Sequence, residues 1–207
     1  MVATFDGWRI GLFALSTLFL AATAGTTTQA AGPETMATGG LTSQPIGHYE
    51  FCRANPDECS ARTRRQGPLV LSEALRLTVS EINATVNAAI RPMSDFDIYG
   101  RDEVWAYPDQ GVGDCEEYVL EKRRRLAAIG IPLSHLLITV VRKPDGEGHA
   151  VLTLRTDKGD LILDNLRDDI ASWYETGYHY LKRQSSEHTG RWVTLIEDRN
   201  MLVGAVR

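Results

Sequence analysis

From residue 136 onward the chain alternates short apolar runs with tight turns, and this pattern constrains its architecture most. Leu136–Val141 is β-branched and reads as a strand, Pro144-Asp145-Gly146 as a turn, and His149–Arg155 as a second strand. Asp157-Lys158-Gly159-Asp160 turns again, and Leu161–Asp164 is a third strand. Connections this short join antiparallel strands only. Trp173–Tyr180 and Arg191–Ile196 read as further strands or short irregular pieces. Upstream the period changes. Leu71, Leu75, Val79, Ile82, Val86 and Ile90 recur at helical spacing, and Pro92 ends that helix. Residues 93–113 are loop-like. A second helix is expected from Asp114 or Cys115 to Ile129, with acids in its first turn, bases later, and Gly130 and Pro132 as its stop. Helices first and strands after predict an α+β domain, with helices packed on an antiparallel sheet.

With 207 residues, 43% of them hydrophobic, the chain can bury a core without staples. Its 22 basic and 27 acidic residues give a net charge of −5, which argues against nucleic acid as a partner. At the N-terminus Arg9 precedes an apolar run from Ile10 to Ala24, and small residues follow to Ala31. That run is shorter than the roughly 20 residues of a spanning helix. Residues 1–31 are therefore expected to be a signal peptide, the alternative being a short uncleaved anchor. Residues 32–48, rich in Gly, Thr, Ser and Pro, are expected to be a flexible leader, and 49–207 the domain. No other segment is apolar enough to span a membrane, so the mature protein is expected in the periplasm or secreted.

Export places the three cysteines in an oxidising compartment. Asn55-Pro56 between Cys52 and Cys59 turns the chain back on itself, which predicts a Cys52–Cys59 disulfide worth at most about 2–3 kcal/mol. Cys115 is the odd one. It follows Gly113-Asp114 at the expected helix start, where partial positive charge favours a thiolate, so a thiol pKa below the ordinary value is expected. His149 opens the second strand and Asp164 ends the third. A four-residue loop at 156–159 places Asp164 opposite Val151, on the His149 face, whereas a three-residue loop places it on the other. On the first register Cys115 is a nucleophile, His149 its base and Asp164 the orienting acid. The Cys115 N–H is then one oxyanion donor, with Gln110 or Trp105 as candidates for another. The spacing alone fits an inert buried cysteine equally well.

Further motifs agree in order. They are Gly113-Asp114-Cys115-Glu116-Glu117-Tyr118, Lys122-Arg123, Gly148-His149-Ala150-Val151-Leu152 and Gly159-Asp160-Leu161-Ile162-Leu163-Asp164-Asn165, followed by Thr176-Gly177-Tyr178, Lys182-Arg183-Gln184-Ser185 and Arg191-Trp192-Val193. Together they resemble the bacterial transglutaminase-like cysteine proteinases over roughly Tyr49 to Ile196. The resemblance implies a papain/transglutaminase-like core, thiol peptidase activity on a protein substrate, and Cys115, His149 and Asp164 as the triad. One branch of that family trims a surface adhesin in the periplasm. The resemblance extends its properties here as expectations: calcium on Asp114 and Glu116, an adhesin substrate, and an inhibitory membrane receptor. An N-cap and a first-turn acid would also explain Asp114 and Glu116. A transglutaminase-type acyl transfer to an amine, or a binding module without chemistry, would use the same fold.

The remaining tempting residues read more simply. His48, His135, His179 and His188 lack paired-ligand spacing for zinc. Lys122–Arg125 reads as a solvated face pairing with Glu117 and Glu121. Asn83-Ala84-Thr85 matches a glycosylation sequon in mid-helix.

Overall fold

The computed structural model describes residues 1–2, 35–63 and 66–196. The expected signal peptide, apart from Met1 and Val2, lies outside the described residues.

Ala37–Thr42 (β1) leads into Ile46–Ala54 (α1) and Pro56–Ser60 (α2), and these into the long Glu73–Ala89 (α3). Two residues, Arg91–Pro92 (β2), pair in parallel with Val112–Gly113 (β3), with Asp95–Tyr99 (α4) between them. Cys115–Ala128 (α5) follows. Six strands come next: Leu136–Arg142 (β4), Gly148–Thr156 (β5), Gly159–Asp164 (β6), Arg167–Ser172 (β7), His179–Ser185 (β8) and His188–Ile196 (β9). The large sheet has the order β1-β9-β8-β4-β5-β6-β7, antiparallel throughout. The expected α+β class is therefore the observed one. α3 and α5 pack on each other, α5 on β5 and α3 on β7.

The two helices arise as the residue pattern dictates. Ser72 caps α3 by accepting from the Leu75 N–H at 3.1 Å. Val79 and Val86, at helical spacing, are fully buried. Asn83 is also fully buried, and its amide donates to the carbonyls of Arg167 and Asp168. That closes the sequon to a glycan, because the side chain is already bound inside the fold. The core between helices and sheet gathers Val119, Leu120, Leu126, Ile138, Leu152 and Leu163. A second apolar cluster, Met36, Val141, Val151, Ile162 and Tyr180, fills the other face, as strand alternation requires.

The flexible leader expected over residues 32–48 is a correction. Ala37–Thr42 pairs with β9, with a register shift between Thr38 and Leu41, and α1 begins at Ile46. Edge pairing runs through the backbone and needs no apolar alternation, so hydrophobic periodicity does not reveal it. The glycines that suggested flexibility permit close approach instead. A Cβ on Gly39 would collide with Thr194 Oγ1.

The basic run on α5 is a second correction. Arg124 and Arg125 do pair with Glu121, at 2.6 Å each. Lys122 and Arg123 are instead buried, Arg123 bridging to Glu58 at 3.1 Å, and Glu117 caps the helix rather than pairing with them.

Candidate active site

The expected disulfide is present. Cys52 and Cys59 are joined, with Cα atoms 5.5 Å apart, and tie α1 to α2. His48 on α1 is buried beside them and accepts from Trp192 Nε1 at 3.2 Å. Burial, then the Arg123 charge, pushes its pKa down to about 4, so it is a neutral packing group. This anchors α1, whose start lines the cleft described next.

That cleft, of about 630 Å³, is lined by Pro45, Ile46, Trp105, Cys115, His149 and Lys182, among others. Cys115 is the first residue of α5. Asp114 precedes it as N-cap, and Glu117 closes a capping box, its Oε2 accepting from Asp114 N–H at 2.9 Å. Glu117 Oε1 accepts from Ala106 N–H at 3.0 Å and so fastens the loop that carries Trp105.

Asp164 and His149 come together because the β5–β6 hairpin closes with Thr156 opposite Gly159 and Leu152 opposite Leu163. Continuing that register puts Asp164 opposite Val151, the first of the two registers considered. His149 Nε2 lies 2.8 Å from Asp164 Oδ1. An ionised carboxylate only accepts, so Nε2 carries the hydrogen and Nδ1 is left to receive a proton. Leu166 N–H also donates to Oδ1 at 3.0 Å, and Tyr178 O–H donates to Oδ2 at 2.6 Å. Burial alone would raise the Asp164 pKa, but the bonds from His149, Tyr178 and Leu166 outweigh it and hold the carboxyl below the usual range. A depressed folded-state pKa contributes stability above the unfolded value of about 4, which is lost as pH falls through the lower folded value. The melting-temperature advantage of the wild type over Asp164→Asn is thus expected to hold at neutral pH and shrink below about pH 4.

The thiol departs from expectation. Burial and then the negative charge of Glu116 push the Cys115 pKa well up, not down. Cys115 Sγ–H donates to Glu116 Oε2 at 2.9 Å. The helix-start field, with a bond from the Ala150 amide, is outweighed by burial and the adjacent carboxyls. Those carboxyls are crowded. Asp114, Cys115 and Glu116 offer ligand atoms within 4.8 Å of one another, as do Asp95, Asp114 and Glu117. Burial, then Asp114, raises Glu116 to about 9, and burial raises Glu117 to about 8 against the opposing bond from Ala106, with Asp114 adding to the rise. Burial raises Asp95 to about 6. Asp95 Oδ1 and Asp114 Oδ1 are buried without a hydrogen-bond partner among the described residues.

The two oxyanion candidates part company. Gln110 is a correction: it is exposed in the turn closed by Gly111 N–H on Pro108 O, and does not line the cleft. A tight turn ending at Gly111 projects it outward. Trp105 does line the cleft, 5% exposed, and its Nε1 has no hydrogen-bond partner among the described residues. Its ring edge lies against Gly47, where any Cβ would collide with it.

Tyr178 and Asp95 carry contacts that sequence reasoning did not assign. Tyr178 lies in the Thr176-Gly177-Tyr178 motif, and Asp95 in the loop-like segment 93–113. Only the first carried a usable signal.

A helix-borne thiol and a histidine bonded to an aspartate on the neighbouring strand line one cleft, the residue types of a papain/transglutaminase-type thiol hydrolase. The family model of the bacterial transglutaminase-like cysteine proteinases (BTLCP) matches residues 38–200, and the chain belongs to that family of cysteine peptidases. Solved structures of LapG from Legionella pneumophila resemble it. The calcium-bound form is 25% identical with a TM-score of 0.50, covering 60% of this chain and 73% of that one. The EGTA-treated form is also 25% identical with a TM-score of 0.50, covering 60% of this chain and 69% of that one. No curated protein sequence matches. Among the described residues, no helix is long and apolar enough to cross a membrane.

Proposed function

We propose that this chain is an exported, calcium-dependent processing peptidase of a surface protein, working through Cys115, His149 and Asp164. The observation that carries the reading is the 2.8 Å bond between His149 Nε2 and Asp164 Oδ1, at a cleft that also holds Cys115. Family membership and the likeness to LapG support a surface adhesin as substrate and a periplasmic location; an inhibitory membrane receptor as regulator is carried over from the family resemblance alone.

In the reaction His149 Nδ1 takes the thiol proton while Cys115 Sγ bonds to the scissile carbonyl carbon. The Cys115 backbone N–H receives the oxyanion, and Trp105 Nε1, packed against Gly47 in the cleft wall, is the candidate second donor. As the C–N bond breaks, His149 gives its proton to the departing amine and a thioester remains. Water, deprotonated by the same imidazole, then releases the acid and restores the thiol. Asp164 holds the imidazole in one tautomer throughout.

The donor set suits calcium, which takes carboxylate and carbonyl oxygens. Asp114 and Glu116 would hold it, and the orphaned oxygens of Asp114 and Asp95 mark unused coordinating capacity. When bound there, calcium would supply positive charge beside the thiol. Calcium at roughly 100 times its Kd is expected to raise the melting temperature by about 5–10 °C. An Asp114→Ala, Glu116→Ala double variant should show no such rise, and an equal rise would falsify the siting. Iodoacetamide labelling of Cys115 at neutral pH tests the whole reading. Calcium should speed it at least about tenfold over EGTA, through a lower thiol pKa. Labelling indifferent to both calcium and His149→Gln would count against an activated nucleophile.

A further inference from the structure

The two oxygens of Asp164 have different partners. Oδ1 accepts from His149 Nε2 and Leu166 N–H, and Oδ2 accepts from the Tyr178 hydroxyl at 2.6 Å. The Tyr178 ring also meets the His149 imidazole edge-on, with centroids 5.7 Å apart and planes at 73°. Asp164 is fully buried, while Tyr178, just ahead of β8, is half-buried and touches both members of the pair. Carboxylate torsions are broad, so covalent geometry does not fix which way the Asp164 oxygens face. Two donors on Oδ1 still leave the plane free to rock. A third donor on Oδ2 stops it.

We propose that Tyr178 is a positioning residue for the catalytic pair. Its hydroxyl locks the Asp164 carboxylate, and its ring screens the His149–Asp164 bond from water. This rests on reading Cys115, His149 and Asp164 as the triad. The hydroxyl can do this only as a donor, and the carboxylate keeps it protonated: burial and then the Asp164 bond push the Tyr178 pKa up. Other groups face the pair: Lys122 from α5 and Arg167 from β7 face the Asp164 carboxylate, and Arg167 and Tyr180 face the Tyr178 hydroxyl. They set the local field, whereas Tyr178 supplies the directional bond to Oδ2.

The test needs no protein substrate. The His149 Nε2–H should give a low-field proton NMR resonance, assigned by its loss in His149→Gln. In Tyr178→Phe, which removes one oxygen and keeps the ring, that proton should exchange with water at least about tenfold faster. Labelling of Cys115 by iodoacetamide in excess calcium should slow about tenfold, the usual scale for a lost orienting bond. A folded Tyr178→Phe protein with wild-type exchange and wild-type labelling overturns the proposal. Should that variant not fold, difluorotyrosine at position 178, a stronger donor of the same shape, replaces it. It should move the resonance while keeping exchange slow, and an unmoved resonance overturns the proposal. If His149→Gln labels as fast as wild type, the triad reading itself fails and the proposal falls with it. A role confined to packing would change the melting temperature alone.

Discussion

Cys115→Ala is expected to lower peptide-bond cleavage by at least about 10⁴-fold while leaving the fold and substrate binding intact. The sulfur is the atom that bonds to the carbonyl, and no neighbour can take its place. Glu116 is the nearest side-chain partner, at 2.9 Å, but it is a carboxyl engaged with the thiol itself. Alanine also removes the donor to Glu116 without adding bulk, so the cleft stays open. Substrate pull-down by the variant, with turnover at background, is the expected pair of results. Residual turnover within about tenfold of wild type would remove Cys115 from the mechanism. Adding a primary amine to the wild-type assay separates the chemistries: amine incorporated into product would mark acyl transfer rather than hydrolysis.

Asp164→Ala carries the second large effect, an expected loss of about 10³–10⁴-fold in turnover. The fully buried side chain receives three donors: His149 Nε2, Leu166 N–H and the Tyr178 hydroxyl. Removing the acceptor orphans all three, which is also expected to cost about 3–5 kcal/mol of stability. Asp164→Asn separates the fold from the chemistry. An amide can keep its oxygen toward His149 and Leu166 and turn its NH₂ toward Tyr178, whose hydroxyl then accepts, so most of the stability lost in Ala should be kept. Turnover should still fall about 10⁴-fold, because an amide has no charge to stabilise the imidazolium. An Asn variant within about tenfold of wild type would show that orientation, not negative charge, is what Asp164 provides. Parallel turnover and urea-unfolding measurements on both variants decide this.

Much of the scaffold is legible in the residues. The stripe through Val79 and Val86 gave α3, the acid-first charge order gave α5, and the turns at 144–146 and 157–160 gave β4 to β6. Cys52 and Cys59 were close enough in sequence, with a turn between, for pairing to be local. β1 escaped because an edge strand is held by backbone bonds to β9, more than 140 residues away, which leave no periodic mark. Lys122 and Arg123 escaped because charge was read as exposure, whereas α5 is covered on both sides by α3 and the sheet.

By itself, then, the sequence determined the class, the order of α3, α5 and β4 to β6, and the cysteine, histidine and aspartate offered for the site. These follow from periodicity, turn chemistry and motif order, all of which act over a few residues. Only the tertiary structure decided the β5–β6 register that sets Asp164 against His149. It also decided the Tyr178 bond to Asp164, the orphan indole N–H of Trp105 and the upward shift of the Cys115 thiol. Each depends on burial and on groups brought close by folding. Low polarity then magnifies the charges of Asp114 and Glu116 beyond the helix field that the sequence displays.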